Sequence, residues 1–385
     1  MHFVREITEL SALAPYERAW GDLLAATLGG SFFQSYDWFG ARVADAGTSA
    51  LPRVLIVSNA SRIIGILPLI VSTQQRGLGK FRVLGYPLSD WGAIFGPVGP
   101  DPRATLTAGL AHVRATPRNW DVLDLCWVDR DHGDGGATRR ALAQCGLPAR
   151  EVLHAMTAQI ELTGDWEKYW ASRKSHWRTN LRRSEKRLAL QGDVRYVRYR
   201  PAGSAQGDDN PRWDLYEACV ALAARSWQAG SDSGTTLSTP SVAPLLRNIH
   251  AAAVRCGAAD LNLLLIGETP VAFAYNYHYQ GYVYGLRMGY DRAAGHDGAG
   301  SVLLCRALQD SFDRGDRIYD LGPDYLDCKR PWFTRLVPTY RYTHFPWHSP
   351  RAQAVRLGRW LRQVGSACRA VPESGSRFKQ TVGSA

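Results

Sequence analysis

The amino-acid sequence predicts an α/β (α+β) fold made of two tandem domains, each a mixed, mostly antiparallel sheet flanked by helices. Within residues 54–71, runs rich in Val and Ile stand on both sides of a polar turn, and such paired runs predict an antiparallel hairpin. Helical patterns separate the hairpins from later strands, an order typical of mixed sheets. The succession of helices, hairpin, helix and short strand occurs twice in the 385 residues, which indicates a duplicated domain.

The first half shows the succession in its simpler form. Its predicted elements are two helical patterns within 15–46, the hairpin at 54–71, a helix at 103–115, a buried strand at 121–128 and a helix at 138–145. No helix or strand is predicted for the stretch before residue 103, which is rich in Gly, Pro and aromatic residues.

The second half repeats the order with more elements. These are a strand at 157–162, a strongly basic helix at 165–190, a strand at 193–200, helices at 212–228 and 240–256, a hairpin at 261–279, a strand at 281–288, a helix at 300–314 and a strand at 317–321. The short strand ending in Asp124 and Leu125 corresponds to the one ending in Asp320 and Leu321. The predicted domains are residues 1–150 and 151–350, followed by a C-terminal helix and flexible tail at 351–385.

Composition and spacing exclude several classes of protein. No run of 18 apolar residues occurs and the first residues do not form a signal peptide, so we expect a cytoplasmic protein. Seven scattered cysteines without a CxxC pair argue against disulfides and structural zinc, and histidines without an HExxH motif predict no metal. The absence of GxSxG removes the commonest hydrolases. The net charge of +11 attracts anions without selecting one.

A glycine-rich loop within residues 291–306 precedes an apolar helix. Glycines let successive backbone N–H groups turn inward, and the start of a helix adds its positive dipole, so the loop suits a pyrophosphate. A loop that only reverses the chain would have the same composition. A Rossmann site is excluded, because no GxGxxG occurs and the hairpin order differs.

The segment after that helix adds chemistry. It places Asp320 at a strand end, then a Gly322-Pro323 bend, then Tyr325 and Lys329. Together with the loop and with the Asn-x-Arg-Arg pattern that begins at Asn180, this arrangement resembles the CelD-type acetyltransferases of the GNAT superfamily, which are related to the FemAB aminoacyltransferases. The resemblance covers about residues 155–335 and, more weakly, 30–130.

The resemblance implies two GNAT-like domains and transfer of an acyl group, expected to be acetyl, from a CoA thioester to an amine or hydroxyl. Acetyl-CoA or another acyl-CoA would be the co-substrate. The loop contains more residues than the usual superfamily loop, which leaves another donor open. The residues expected to bind the donor are Gly295, Gly298, Gly300, Ser301, Arg287 and Arg292.

Catalysis would need a base, a polarised carbonyl and a proton for the leaving thiolate. The resemblance implies that backbone N–H groups within 283–288 polarise the carbonyl. Asp320 is the candidate base, with capping of the Gly322-Pro323 bend as its alternative role. Lys329 would neutralise developing charge or hold a phosphate unless it is a solvated surface lysine, and Tyr325 would protonate the thiolate.

The acceptor would be an amine, an amino-sugar or a polysaccharide precursor. The candidate residues that bind it are Asp124, Asn180, Arg183, Tyr275 and Tyr277. Each has a plainer interpretation: a structural strand-end acid for Asp124, a solvated basic helix face for Asn180 and Arg183, and sheet packing for the tyrosines.

Two other functions stay open. A FemAB-like enzyme would transfer an amino acid from aminoacyl-tRNA, which suits the basic helix and the isoelectric point near 9.4. A non-catalytic module would bind RNA or an anionic glycan. The helix at 351–371 combines arginines with apolar residues, so it either lies on a membrane surface or, as we expect, packs on the second domain.

Overall fold

All strands in the described part of the chain join one mixed sheet. The computed structural model describes residues 2–60, 62–76, 79–87, 94–230, 236–291 and 297–369, without the side chains of 76 and 362–369. The strands are β1 (His2–Ile7), β2 (Ala50–Asn59), β3 (Arg62–Arg76), β4 (Gly79–Gly85), β5 (Val122–Val128), β6 (Arg150–Glu161), β7 (Val194–Tyr199), β8 (Ala259–Ile266), β9 (Thr269–Tyr279), β10 (Tyr282–Tyr290), β11 (Ile318–Asp320) and β12 (Arg335–His344).

Helices flank this sheet. They are α1 (Glu17–Ala25), α2 (Tyr36–Ala46), α3 (Pro102–Ala115), α4 (Ala137–Gln144), α5 (Trp166–Ala171), α6 (Ser175–Ala189), α7 (Trp213–Arg225), α8 (Ala243–Arg255), α9 (Ala299–Asp313), α10 (Leu326–Lys329) and α11 (Pro350–Arg369). In the described part of the chain, no helix is long and apolar enough to cross a membrane.

The strand order confirms the predicted duplication. It runs β1-β2-β3-β4-β5-β12-β6-β11-β10-β9-β8-β7, so each edge leads inward through four antiparallel strands to one parallel pair. The parallel pairs are β4 with β5 and β10 with β11. Helix α3 connects the first pair and α9 the second, as a parallel connection requires. The fold is therefore α/β, with two tandem domains of the same topology.

Two central strands join the halves. Strand β6 pairs antiparallel with β11, strand β12 pairs antiparallel with β5, and the two pair with each other. The sheet is therefore continuous across the predicted boundary near residue 150, where β6 begins. Strand β12 follows the second half in sequence but completes the sheet beside the first half.

The largest hydrophobic core spans both halves. Phe33 of the first half packs edge-on against Tyr277 and Tyr284 of the second, with ring centroids 5.6 and 5.4 Å apart. Aromatic rings of this size contribute much of the burial energy of a core. A second core under α9 and α6 contains Leu181, Leu188 and Leu303 and belongs to the second half alone.

Two predictions about helices were wrong. The basic helix is interrupted between α5 and α6, because Lys174 adopts extended backbone angles and Ser172 Oγ donates to the Tyr169 carbonyl at 2.6 Å. The C-terminal helix was expected to pack on the second domain, but its apolar side packs on the first half. Its Ala352 and Val355 lie in a small core with β4 and β5, which include Val83 and Val122. The tail at 370–385 lies outside the described residues.

Candidate active site

The centre of the candidate site is the point where β10 and β11 separate. The two strands pair over only three residue pairs, the last being Tyr284 with Asp320, and β10 then continues to Tyr290 paired with β9 but not with β11. Gly285 stands at the separation, where an added Cβ would lie 2.7 Å from the Asp320 carbonyl oxygen. A bulge between Gly285 and Arg287 in the pairing with β9 shifts the register there. The backbone of β10 beyond Tyr284 thus borders an opening in the sheet.

The first turn of α9 lies beside the end of β10. Gly300 is packed against the Tyr290 ring, since an added Cβ would be 3.3 Å from Cδ1. Gly298 precedes the helix with φ of 90°, and its Cβ would lie 2.5 Å from Ser184 Oγ of α6. Both backbone angle and packing therefore require glycine at position 298. The unpaired N–H groups of a helix start attract anions, and Ser301 is exposed in this turn.

Two predicted donor residues, Arg292 and Gly295, lie outside the described residues. The remaining glycines and Ser301 gather at the start of α9, as the sequence predicted. Arg287 is on β10, but its side chain is 7% exposed and lies near the core tyrosines. Burial raises the pKa values of Tyr275 and Tyr277, and the charge of Arg287 lowers them in part. A contact between Arg287 and the donor stays a prediction.

Asp320 is a buried carboxylate with uncharged hydrogen-bond donors. Gly322 N–H donates to Oδ1 at 2.7 Å, while Gln159 Nε2 and Tyr282 Oη donate to Oδ2 at 3.0 and 3.3 Å. Burial raises the pKa of Asp320 above the ordinary aspartate value, although these bonds and the charge of Lys329 lower it in part. Asp320 thus caps the bend and also has the raised pKa that suits a general base.

Lys329 is linked to Asp320 through one residue. Its Nζ donates to the Gly322 carbonyl at 3.1 Å, while the Gly322 N–H contacts Asp320. Burial lowers the pKa of Lys329, and the carboxylates of Asp320 and Asp324 counteract that shift. Lys329 is therefore partly buried beside the acid and is not a solvated surface lysine.

Tyr325 is exposed at the mouth of this region. It precedes α10 with a left-handed backbone, φ 56°, which is unfavourable for a residue other than glycine. Its ring is 70% exposed and meets the ring of Trp227 edge-on at 5.9 Å. Strained residues of this kind concentrate at functional sites.

The first half contains the counterpart of Asp320 in a different environment. Gly85 faces the Asp124 carbonyl as Gly285 faces that of Asp320, with an added Cβ 2.3 Å away. The Asp124 carboxylate accepts from Arg341 Nε at 2.7 Å and from Arg359 Nη2 at 2.8 Å. Burial would raise the pKa of Asp124, but the hydrogen bonds and charges of both arginines lower it.

The two corresponding acids therefore differ in role. Asp124 attaches β12 and α11 to β5 through its ion pairs, which gives it a structural function. Its contact with an acceptor stays a prediction. No arginine is among the described hydrogen-bond partners of Asp320, and burial raises its pKa, so the second half holds the candidate base.

The other predicted acceptor residues divide into two groups. Asn180 and Arg183 are exposed on α6, whose Ser184 contacts the start of α9. Tyr275 and Tyr277 are buried in the shared core, where Tyr275 Oη lies 3.3 Å from His250 Nδ1. The structure thus gives the tyrosines the packing role, and their contact with an acceptor stays a prediction.

Sequence reasoning missed three residues near Asp320. Gln159 is on β6, where it pairs with Asp320 of β11, and its Oε1 accepts a hydrogen bond from Arg335 Nη2 at 3.0 Å. Tyr282 is on β10, and Asp129 follows β5. Burial first, and then the charges of Asp320 and Asp129, raise the pKa of Tyr282. The polar Gln159 within an apolar strand was the one local signal available.

Across residues 2–369, apart from the gaps named above, no cluster of three or more His, Cys, Asp or Glu side chains could hold a metal ion.

Comparison with known proteins supports an acyltransferase domain. Residues 175–330 match the family model of an acetyltransferase (GNAT) domain, a range that contains α6, the β10–β11 opening and α9. A comparison with curated protein sequences found no match.

Solved structures extend the similarity to the whole fold. The crystal structure of FemX is 12% identical with a TM-score of 0.62, covering 92% of this chain and 99% of that one. The C-terminal domain of a putative lysylphosphatidylglycerol synthetase from Agrobacterium fabrum is 12% identical with a TM-score of 0.49, covering 89% and 95%. A tandem GNAT protein from the clavulanic acid biosynthesis pathway is 13% identical with a TM-score of 0.48, covering 89% and 98%. Of these three structures, FemX supports the fold of this chain.

Proposed function

We propose that the chain is an acyltransferase that moves an acyl group, expected to be acetyl, from a CoA thioester to an amine or hydroxyl. The observation that carries this proposal is the separation of β10 from β11 beside the start of α9, with buried Asp320 at its apex. The GNAT match over residues 175–330 supports acyl transfer.

In this proposal, separate groups bind the donor, polarise its carbonyl and transfer protons. The N–H groups at the start of α9, with Ser301, would bind the donor pyrophosphate. Backbone N–H groups of β10 beyond Tyr284 would polarise the thioester carbonyl. Asp320 would take the proton from the attacking amine as the C–N bond forms and the C–S bond breaks. Lys329 would offset the negative charge that develops, and Tyr325 would return a proton to the thiolate.

Asp320 is the proposed general base because its raised pKa suits proton transfer from an amine. An amine is mostly protonated at neutral pH, so its attack depends on a base that is ionised there and still accepts a proton. A carboxylate paired with arginines, such as Asp124, is too weak a base for this. Asp320 retains basicity because burial raises its pKa while its partners stay uncharged except for Lys329.

The donor can be tested by ligand-induced stabilisation. Acetyl-CoA and longer acyl-CoAs would be titrated by calorimetry and thermal shift in physiological salt. A ligand at a hundredfold excess over its Kd stabilises the folded protein by about 2.7 kcal/mol. We expect acetyl-CoA to do so, and no response to any CoA thioester would contradict the proposal.

Aminoacyl-tRNA is the alternative donor and would be titrated in the same way. The exposed basic residues of α6, among them Arg182, Arg183 and Arg187, lie on the helix that contacts the start of α9. A tRNA acceptor end would find positive charge there, as a FemAB-like aminoacyltransferase would need. Binding of aminoacyl-tRNA that persists in salt, without any response to CoA species, would favour this alternative.

The acceptor and the subfamily belong to the same proposal. We assign the chain to the CelD-type group within the GNAT superfamily and place its reaction in the cytoplasm. Its acceptor would be an amine, an amino-sugar or a polysaccharide precursor. Acetylation assays with amines, amino-sugars and sugar alcohols, followed by mass spectrometry, would identify the nucleophile class.

A further inference from the structure

A groove of about 1360 Å³ lies between the first half and the segment 343–360, away from the β10–β11 opening. Its walls are the end of α3, the segment 146–150 and the connection from β12 into α11. Four arginines line it: Arg114, Arg118, Arg150 and Arg356. We call it the α11 groove. Nothing in the proposed acyl transfer uses it.

The α11 groove is strongly basic. None of the described residues that line it is acidic. Burial first, and then the charges of Arg114 and Arg118, lower the pKa of His344 at its wall. Along the sequence, the nine Lys and Arg residues between Cys328 and Pro372 are accompanied by no Asp or Glu. A surface of this kind attracts polyanions.

The outer side of α11 is apolar. Ala352 and Val355 on its inner side are buried against β4 and β5. Leu357, Trp360 and Leu361 on its outer side remain 56%, 52% and 55% exposed, and Trp347 in the preceding turn is 76% exposed. Large apolar side chains grouped on a surface mark an interaction site.

We propose that the outer side of α11 and the α11 groove bind the surface of an anionic lipid bilayer. A helix with Trp and Leu on one side and arginines beside them lies in the plane of a membrane, with the apolar side chains below the headgroups. The arginines of the groove then contact lipid phosphates. Charge complementarity and the exposed aliphatic residues together select this occupant.

Other anions fit less well. A soluble nucleotide would use the arginines and a tryptophan, but it would leave Leu357 and Leu361 exposed. RNA would stack bases on Trp347 or Trp360 and likewise gain nothing from the leucines. A bilayer is the anionic partner that uses both kinds of residue.

Vesicle binding tests the proposal. The full-length protein would be sedimented with vesicles of equal parts phosphatidylcholine and phosphatidylglycerol, and with vesicles of phosphatidylcholine alone. We expect binding to the anionic vesicles that falls steeply with salt. Arg356→Gln should lower the partition coefficient about fivefold, which corresponds to about 1 kcal/mol per basic residue at a membrane surface. Trp360→Ser should lower it about tenfold or more, because an apolar ring leaves the interface.

Arg195→Gln is the matched control. Arg195 is exposed on β7, the opposite edge strand of the sheet, and the substitution removes the same charge. We expect its partition coefficient to stay near the wild-type value. Circular dichroism and thermal melting would show that each variant folds.

Three results would overturn the proposal. The first is equal loss of binding in Arg356→Gln and Arg195→Gln, which would mean that net charge alone acts. The second is unchanged vesicle binding in Trp360→Ser. The third is failure to bind any vesicle while single-stranded RNA binds and Trp360→Ser abolishes that binding, which would assign the surface to nucleic acid.

Discussion

Replacing Asp320 with Asn should abolish turnover while leaving the fold in place. The substitution preserves size and keeps an oxygen for the Gly322 N–H, which now bonds Oδ1 at 2.7 Å. It removes the negative charge and the ability to accept a proton from the acceptor. Because a positioned base contributes about 10²–10⁴ in rate, turnover should fall by that factor.

The contacts of Asp320 Oδ2 indicate how much folding stability the Asp320→Asn substitution would cost. The new amide would face Gln159 Nε2, another donor, while Gln159 Oε1 already accepts from Arg335. An unsatisfied buried donor costs about 1–3 kcal/mol. Removal of a buried charge offsets part of this cost, so the melting temperature should fall by no more than a few degrees.

The assay is acyl transfer followed through release of free CoA, with donor affinity measured by calorimetry. We expect Kd for the donor to stay near the wild-type value, since Asp320 does not contact the start of α9. Asp327→Asn is the control, because it removes an exposed carboxylate of α10 nearby and should retain turnover. Full turnover in Asp320→Asn would refute the assignment of the base, and unfolding would show that Asp320 serves as a cap alone.

Three further substitutions follow from the same contacts. Tyr282→Phe removes a hydrogen bond that lowers the pKa of Asp320, so the acidic limb of the pH–rate profile should move to higher pH; an unmoved limb would contradict this. Asp124→Asn leaves Arg341 and Arg359 without their carboxylate and should cost about 3 kcal/mol in chemical denaturation, with wild-type stability as the contrary result. Gly298→Ala should weaken donor binding, because the added Cβ would clash with Ser184. Gly315→Ala is the control, since Gly315 also has a positive φ but nothing lies within 4 Å of an added Cβ. Equal donor affinity in the two variants would refute the packing argument.

The elements that the sequence predicted correctly have local signals. Apolar runs on both sides of the turn at 267–270 marked the hairpin of β8 and β9, and a continuous helical pattern after the glycines marked α9. The acids at 124 and 320, which hold corresponding positions in the two halves, indicated the duplication that the strand order confirms. Each of these signals lies within a short window of sequence.

The features that the sequence did not predict depend on distant contacts. Strand β12 received no prediction, and its position between β5 and β6 is decided by pairing with residues about 200 positions away. The packing of α11 on the first half follows from that crossover. The same holds for Asp124, whose arginine partners lie on β12 and α11.

The candidate site likewise combines features with local sequence signals and features that depend on distant contacts. The sequence placed Asp320 at a strand end and the glycines before a helix. It could not show that Gln159 and Tyr282 meet Asp320, because three strands far apart in sequence bring these residues together. The pKa difference between Asp320 and Asp124 is likewise a property of the folded environment.

The central claim is that the donor occupies the opening between β10 and β11 at the start of α9. Hydrogen exchange of the backbone amides, measured with and without saturating acetyl-CoA, tests it most directly. We predict slower exchange at residues 286–290 and 297–303, with the corresponding first-half segments unchanged. Protection confined to the first half, or unchanged exchange at both predicted segments while calorimetry shows bound acetyl-CoA, would contradict the account.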